Sequence, residues 1–127
     1  DVAGGASPGL IPQCAHAVTA SRYLEDGVDP ALPPNERGVS DSRIAITDAF
    51  YMATTGGAEL LDQPTGLLAV GRSFDALAVQ LNRPGSALQM WTEIDDGDRT
   101  FEKVVRLASP ADISNVWVNG RRVAGAA

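Results

Sequence analysis

Small and apolar residues recur at three- and four-residue spacings between Ser7 and Glu25. Leu10, Ile11, Cys14, Val18, Ser21 and Leu24 share one face, which predicts a helix. Ser7 is placed to cap it and Pro8 to take its first position, while Pro12 still falls in the tolerant opening turns. The pattern then lapses. Gly27 to Ser42 carries three prolines among polar residues and reads as a long surface loop. Helical spacing returns in IAITDAFYMATTGGAELL, with Ile46, Ala49, Phe50 and Ala53 on one stripe. Gly56-Gly57 is expected to end that helix before a shorter one begins.

After Gln63-Pro64 the period shortens. TGLLAVG and FDALAVQL predict two short strands about Gly71-Arg72-Ser73. Asn82 to Ser86 is a turn cluster, and Ala87 to Ile94 has the makings of a helix that DDGD, Asp95 to Asp98, would break. TFEKVVRLA predicts a short helix with Phe101, Val104, Val105 and Ala108 on one face. VWVNGRRV predicts a hairpin, because Asn119-Gly120 suits a type I′ turn. The strands near the end can form a small antiparallel sheet. The first helix has no strand before it except whatever DVAGG, residues 1–5, would terminate. DVAGG reads as the end of a buried strand turning sharply into a loop.

Composition narrows the partners more than the fold. The chain has 127 residues and 13.2 kDa, enough for one domain; 44% are hydrophobic and 20% charged, as in soluble globular proteins. A net charge of −6 argues against a nucleic-acid or anionic-membrane partner, and Arg121-Arg122 is too short for a phosphate-binding stripe. Cys14 is the only cysteine, which excludes an intrachain disulfide and fits a reducing cytoplasm. No stretch has the form of a signal peptide, and no apolar run approaches the roughly 18 residues of a membrane span.

Few residues carry candidate chemistry. His16, the only histidine, lies on the polar face of the first helix beside Gln13 and Tyr23, without a second metal ligand at helical spacing. Cys14 sits within the apolar stripe and reads as an inert buried thiol. DDGD lacks the spacing of a calcium loop and reads as a solvated turn. Gly56-Gly57 lacks the G-x-G-x-x-G context of a phosphate cradle. Asp1 taken alone is a solvated carboxylate. At the end of a barrel strand it would instead face the pocket where barrel enzymes do chemistry, with Ala3, Gly4 and Gly5 letting the backbone turn close to a ligand. The residues present do not compose a complete catalytic centre.

Four segments in order, DVAGG, AFYMATTGGAELL, GLLAVGRSFDALAVQL and FEKVVRLASPADISNVWVNGRRV, resemble the C-terminal part of the guanine deaminases, a family of zinc enzymes in the amidohydrolase superfamily. The ATTGGAE and VGRSFDALAV motifs point to the superfamily; DVAGG before a helix and the FEK…VWVNG tail point more narrowly. The resemblance implies an α/β fold: the C-terminal portion of a (β/α)8 metal-dependent hydrolase barrel, with strands of a composite β-sandwich. Residues 1–65 would close the barrel, 66–82 would supply sandwich strands, 83–113 a returning helical segment, and 114–127 the sandwich hairpin and C-terminus. Such barrels run to about 250 residues, so the rest is expected upstream.

The same resemblance implies hydrolysis of guanine to xanthine and ammonia, in purine catabolism, with one zinc ion per complete subunit. It gives Asp1 both a catalytic and a metal-site role: taking a proton from the attacking water and assisting departure of ammonia. The other metal ligands and most substrate-recognising side chains would lie upstream, and His16 matches none of them. A small-molecule purine substrate, the upstream part of the same polypeptide, a homodimer and a cytoplasmic location follow from the resemblance. These 127 residues alone would be inactive and prone to associate through uncovered apolar faces. Two other readings remain open: an amidohydrolase acting on another ring or amide, and an inert segment with only a structural role.

Overall fold

The computed structural model describes residues 7–125, and the chain divides into two compact units, residues 1–53 and 54–127. Helix α1 spans Leu10–Asp26 and helix α2 spans Ile46–Ala53 in the first unit. The second unit runs through α3 (Thr55–Leu60), β1 (Ala76–Val79), α4 (Gly97–Leu107), a 3-10 turn (Pro110–Asp112), β2 (Ile113–Val118) and β3 (Arg121–Gly125).

In the first unit α1 packs on α2 through the predicted stripe. Cys14, Val18 and Ser21 of α1 are buried, as is Ala49 of α2. The Cys14 thiol donates to the Ala49 carbonyl at 3.7 Å, and the Ser21 hydroxyl accepts from the Ile44 amide at 3.2 Å. Both ends of the predicted stripe differ from expectation: Leu10 and Leu24 are exposed. The cap differs as well. Gly9 holds the N-cap position, and the Ser7 hydroxyl accepts from the Gly9 amide, so Ser7 and Pro8 precede the helix instead of opening it. Pro12 sits in the first turn, where its missing N–H costs nothing.

Helix α1 ends at Gly27, whose φ of 68° is cheap only for glycine. The expected loop follows, and it is closed at its base. The Val39 amide donates to the Leu24 carbonyl at 2.9 Å, and a Cβ on Gly27 would meet the Gly38 nitrogen at 2.6 Å. Arg43 pairs with both Glu25 and Asp26. The pair of carboxylates at a helix C-terminus opposes the backbone dipole, and the guanidinium offsets it.

In the second unit, β1, β2 and β3 form an antiparallel sheet in that order. Ala76 faces Trp117 and Ala78 faces Asn115, with a register shift at Ala78/Val79. Val116 faces Ala124, with a second shift at Val116/Trp117. The predicted Asn119-Gly120 turn is present, with φ of 48° and 75°. Leu88 and Val105 are the largest fully buried apolar side chains. Val105 comes from the predicted face of α4.

Three expectations fail here, each for a local reason. The helix break falls at Thr54 (φ −123°, ψ −96°), and Gly56-Gly57 lies inside α3. TGLLAVG is a closed loop, not a strand; among the described residues no strand pairs with it. The Ser73 amide donates to the Pro64 carbonyl at 2.6 Å, the Arg72 amide to the Ala69 carbonyl, and Leu68 and Val70 are exposed. Ala87 to Ile94 is not helical because side chains intercept its backbone. The Leu88 amide donates to the Ser86 hydroxyl, the Met90 amide to Asn82 Oδ1, and Gln89 Nε2 to the Arg83 and Ser86 carbonyls.

Truncating Leu88 to Ala should cost about 2–5 kcal/mol of unfolding free energy by urea denaturation, the range for a buried leucine that leaves a cavity. Gly66 has φ +81°, and a Cβ there would lie 2.6 Å from the Thr54 carbonyl oxygen. Gly66→Ala should therefore lower stability by about 1–3 kcal/mol in the same measurement.

Candidate functional site: the helix after DVAGG and the carboxylate clamps

Asp1, for which the family resemblance implies a catalytic and metal-site role, lies outside the described residues. What is described is the segment that follows it. Ser7, Pro8 and Gly9 lead into α1, and the first turn of the helix reaches back over them. Gln13 Nε2 donates to the Ser7 carbonyl at 2.7 Å, and the Gly9 amide to the Ser7 hydroxyl at 3.1 Å. Gly9 is confined as well, since a Cβ there would approach Pro12 Cδ to 3.2 Å. The entrance to α1 is thus bonded at both the carbonyl and the hydroxyl of Ser7.

The other sequence candidates are placed as structural residues. His16 is exposed on α1. Cys14 is buried between α1 and α2, and that burial pushes its thiol pKa up, away from thiolate chemistry. Gly56-Gly57 forms part of a six-residue helix. Among the described residues no three His, Cys, Asp or Glu side chains are grouped so as to hold a metal ion.

DDGD is more organised than a solvated turn. Asp96 caps α4, its Oδ1 accepting from the Arg99 amide at 2.9 Å, and Asp98 falls in the first turn, where the helix dipole favours it. The Asp95 side chain is almost entirely enclosed. Its Oδ2 accepts from Lys103 Nζ at 2.6 Å and from the Trp91 amide at 2.8 Å. Lys103, the only lysine in the chain, also donates to the Gln89 carbonyl and lies 4.6 Å over the Trp91 ring. The lysine, followed by the Trp91 amide, holds the Asp95 carboxyl below the usual carboxylate range. Helical periodicity identified the apolar face of α4 but carried no sign of this pair, which joins positions eight residues apart.

A second carboxylate, missed by the sequence reading, organises the sheet. Asp75 Oδ1 accepts from the Asn119 amide at 2.6 Å, and Oδ2 from the Thr65 hydroxyl at 2.7 Å. The Gly120 amide donates to the Phe74 carbonyl alongside, and Phe74 meets Trp117 edge to face at 5.8 Å. The Asn119 amide first, then the Thr65 hydroxyl, lowers the Asp75 pKa. Asp112 is a third such acid. It is buried, and Oδ2 accepts from the Ser109 amide and hydroxyl, which depress its pKa in that order. No local pattern marks Asp75, because its partner amide lies 44 residues away.

No helix among the described residues is long and apolar enough to cross a membrane. The chain is similar to several curated proteins along nearly its whole length. It is 31% identical to a probable guanine deaminase of Schizosaccharomyces pombe, over 98% of this chain and 22% of that protein. It is 27% identical to the guanine deaminases of Rattus norvegicus and Mus musculus, over 97% of this chain and 26% of each of them. It therefore spans about a quarter of the length of these relatives. The model of the amidohydrolase family matches residues 1–123. A match so nearly complete, running through α1, the Asp75 clamp and the β2–β3 hairpin alike, means that this chain belongs to the amidohydrolase family.

Proposed function

We propose that the protein containing this chain is a guanine deaminase, which hydrolyses guanine to xanthine and ammonia. The observation that carries this reading is the alignment of nearly the whole chain with proteins named guanine deaminase in a yeast and two rodents. The family match supports the hydrolytic class.

In this reading residues 1–65 complete the barrel, 66–82 and 114–127 contribute to a composite β-sandwich, and 83–113 connect them. The three-stranded antiparallel sheet and its clamp are consistent with the sandwich portion. In this reading Asp1 would stand where the last barrel strand meets its loop. A carboxylate there suits one position of a zinc site, since zinc takes oxygen as well as nitrogen and sulfur donors. This chain would supply that one ligand, and histidines upstream the others. A bound zinc ion supplies Lewis-acid activation of the attacking water.

The work assigned to Asp1 is proton transfer. Its carboxylate takes a proton as the water oxygen bonds to the ring carbon bearing the amino group. It then delivers that proton to the amino nitrogen, which leaves as ammonia when the C–N bond breaks. The electron pair of the attacked ring C=N bond passes to the neighbouring ring nitrogen, which takes the second water proton, and the carbon keeps the water oxygen as the carbonyl of xanthine. In this reading the small residues Ala3, Gly4 and Gly5 would let the backbone turn close to the ring. The protein would act in the cytoplasm, as a homodimer.

The complete enzyme should release ammonia from guanine and not from adenine or cytosine, as measured by coupled ammonia detection. Removing metal with a chelator should abolish turnover, and zinc should restore it. Asp1→Asn keeps the shape but cannot accept the proton; kcat should fall by about 10²- to 10⁴-fold. Turnover of another ring in place of guanine would refute the substrate, and an active Asp1→Asn variant would refute the proton role.

A further inference from the structure

We propose that Asn119 is a site of chemical modification: its carboxamide cyclises onto the Gly120 nitrogen and opens with water to aspartate or isoaspartate, at a rate set by the Asp75 and Phe74 contacts of the hairpin tip. The proposal is independent of the functional reading above. The chain holds four asparagines, Asn35, Asn82, Asn115 and Asn119. Glu36, Arg83 and Val116 follow the first three, and a side chain there crowds the backbone nitrogen that would attack. Asn119 alone precedes a glycine, whose nitrogen has no Cβ beside it. The pair lies at the tip of the β2–β3 hairpin, where both residues are exposed. A Cβ on Gly120 would meet nothing within 4 Å, so the turn has room for a ring.

In the first step the Gly120 nitrogen loses its proton and bonds to the side-chain carbonyl carbon of Asn119. The C–N bond of the carboxamide breaks, and its nitrogen takes a proton and leaves as ammonia. Water then adds to either carbonyl of the cyclic imide and breaks that carbon's bond to the ring nitrogen, which regains a proton. Opening at the side-chain carbon leaves aspartate. Opening at the main-chain carbon leaves isoaspartate, with an extra carbon in the backbone. Two bonds stand against the first step. The Gly120 amide, the attacking group, donates to the Phe74 carbonyl at 2.9 Å, and the Asn119 amide to Asp75 Oδ1 at 2.6 Å. Cyclisation needs that nitrogen free and the Asn119 backbone rotated, so it proceeds from the fraction of molecules in which the tip has opened. The Asp75 bond is charge-assisted and limits that fraction. The product removes the same clamp. Isoaspartate lengthens the turn, so that its amides no longer match Asp75 and Phe74, and either product puts a second carboxylate close to Asp75. The change is one-way and loosens the junction of β1 with the hairpin.

The test incubates the complete folded protein in mildly alkaline buffer and follows conversion at each asparagine by peptide mapping and mass spectrometry, with enzymatic methylation of isoaspartate as a second readout. Conversion should appear at Asn119 and not at Asn35, Asn82 or Asn115. It should run about tenfold slower in folded protein than in the same protein unfolded in urea. Asp75→Ala should speed conversion at Asn119 about tenfold, and Asp75→Asn, which keeps an uncharged acceptor, by less. Asn119→Gln, whose ring would need an additional carbon, should stay unconverted. Amide hydrogen exchange at Asn119 and Gly120 should rise in step with conversion, while α4, Gly97–Leu107, stays protected. If Asp75→Ala exposes α4 as well, it has unfolded the unit, and Asp75→Asn carries the comparison. Absence of conversion at Asn119 in the folded protein overturns the site. Conversion at one rate in wild type, Asp75→Asn and urea overturns control by the clamp, and the proposal with it.

Discussion

Asp75 sits just before β1 and binds two distant parts of its unit at once. One carboxylate oxygen takes the Asn119 amide at the tip of the β2–β3 hairpin, and the other takes the Thr65 hydroxyl at the base of the preceding loop. A type I′ turn leaves its amides exposed to competition from water. An ionised acceptor secures one with a charge-assisted bond, stronger than a neutral pair. The neighbouring Gly120–Phe74 bond and the Phe74–Trp117 ring contact then align β1 beside β2. A three-stranded sheet is close to the smallest that can hold together, and its edges gain little from packing. Here the end that carries the hairpin turn and the loop before β1 is held by side-chain chemistry.

The same device recurs. Asp95 closes the approach to α4 by accepting from the Trp91 amide and Lys103, and Asp112 closes the turn into β2 by accepting twice from Ser109. All three acids have depressed pKa values because hydrogen bonds favour their charged forms. The native state thus gains stability that is present above the ordinary carboxylate pKa and lost as pH falls through the depressed values. An acidic chain of net charge −6 uses part of its acid content as internal fasteners. With Leu88 and Val105 the only large, fully buried apolar side chains among the described residues of this unit, such fasteners have a large share in its order.

The first unit is held differently. Its order comes from a helix–helix seam of small side chains, with Cys14, Val18, Ser21 and Ala49 buried. Small residues permit close approach of the backbones, which is why a thiol and a hydroxyl there find main-chain partners. That seam anchors α1, whose entrance is bonded to Ser7. In the second unit, Leu60, Leu61, Leu68 and Val70 are exposed.

Periodicity and turn chemistry by themselves determined α1, α2, α4 and the β2–β3 hairpin, since each is dictated by contacts within three or four residues or by Asn-Gly at one turn. They also determined the family, through motifs spread along the whole chain. Only the tertiary structure decided the rest. TGLLAVG has the composition of a strand, but a strand exists only with a partner, and Thr65 and Pro64 bond to Asp75 and Ser73 instead. Ala87 to Ile94 has helical spacing, but Asn82, Ser86 and Gln89 side chains capture the amides and carbonyls a helix would need. The role of Asp75 was illegible for the same reason. Its partner amide is 44 residues away, and no local pattern encodes a bond whose two ends meet only after the chain has folded.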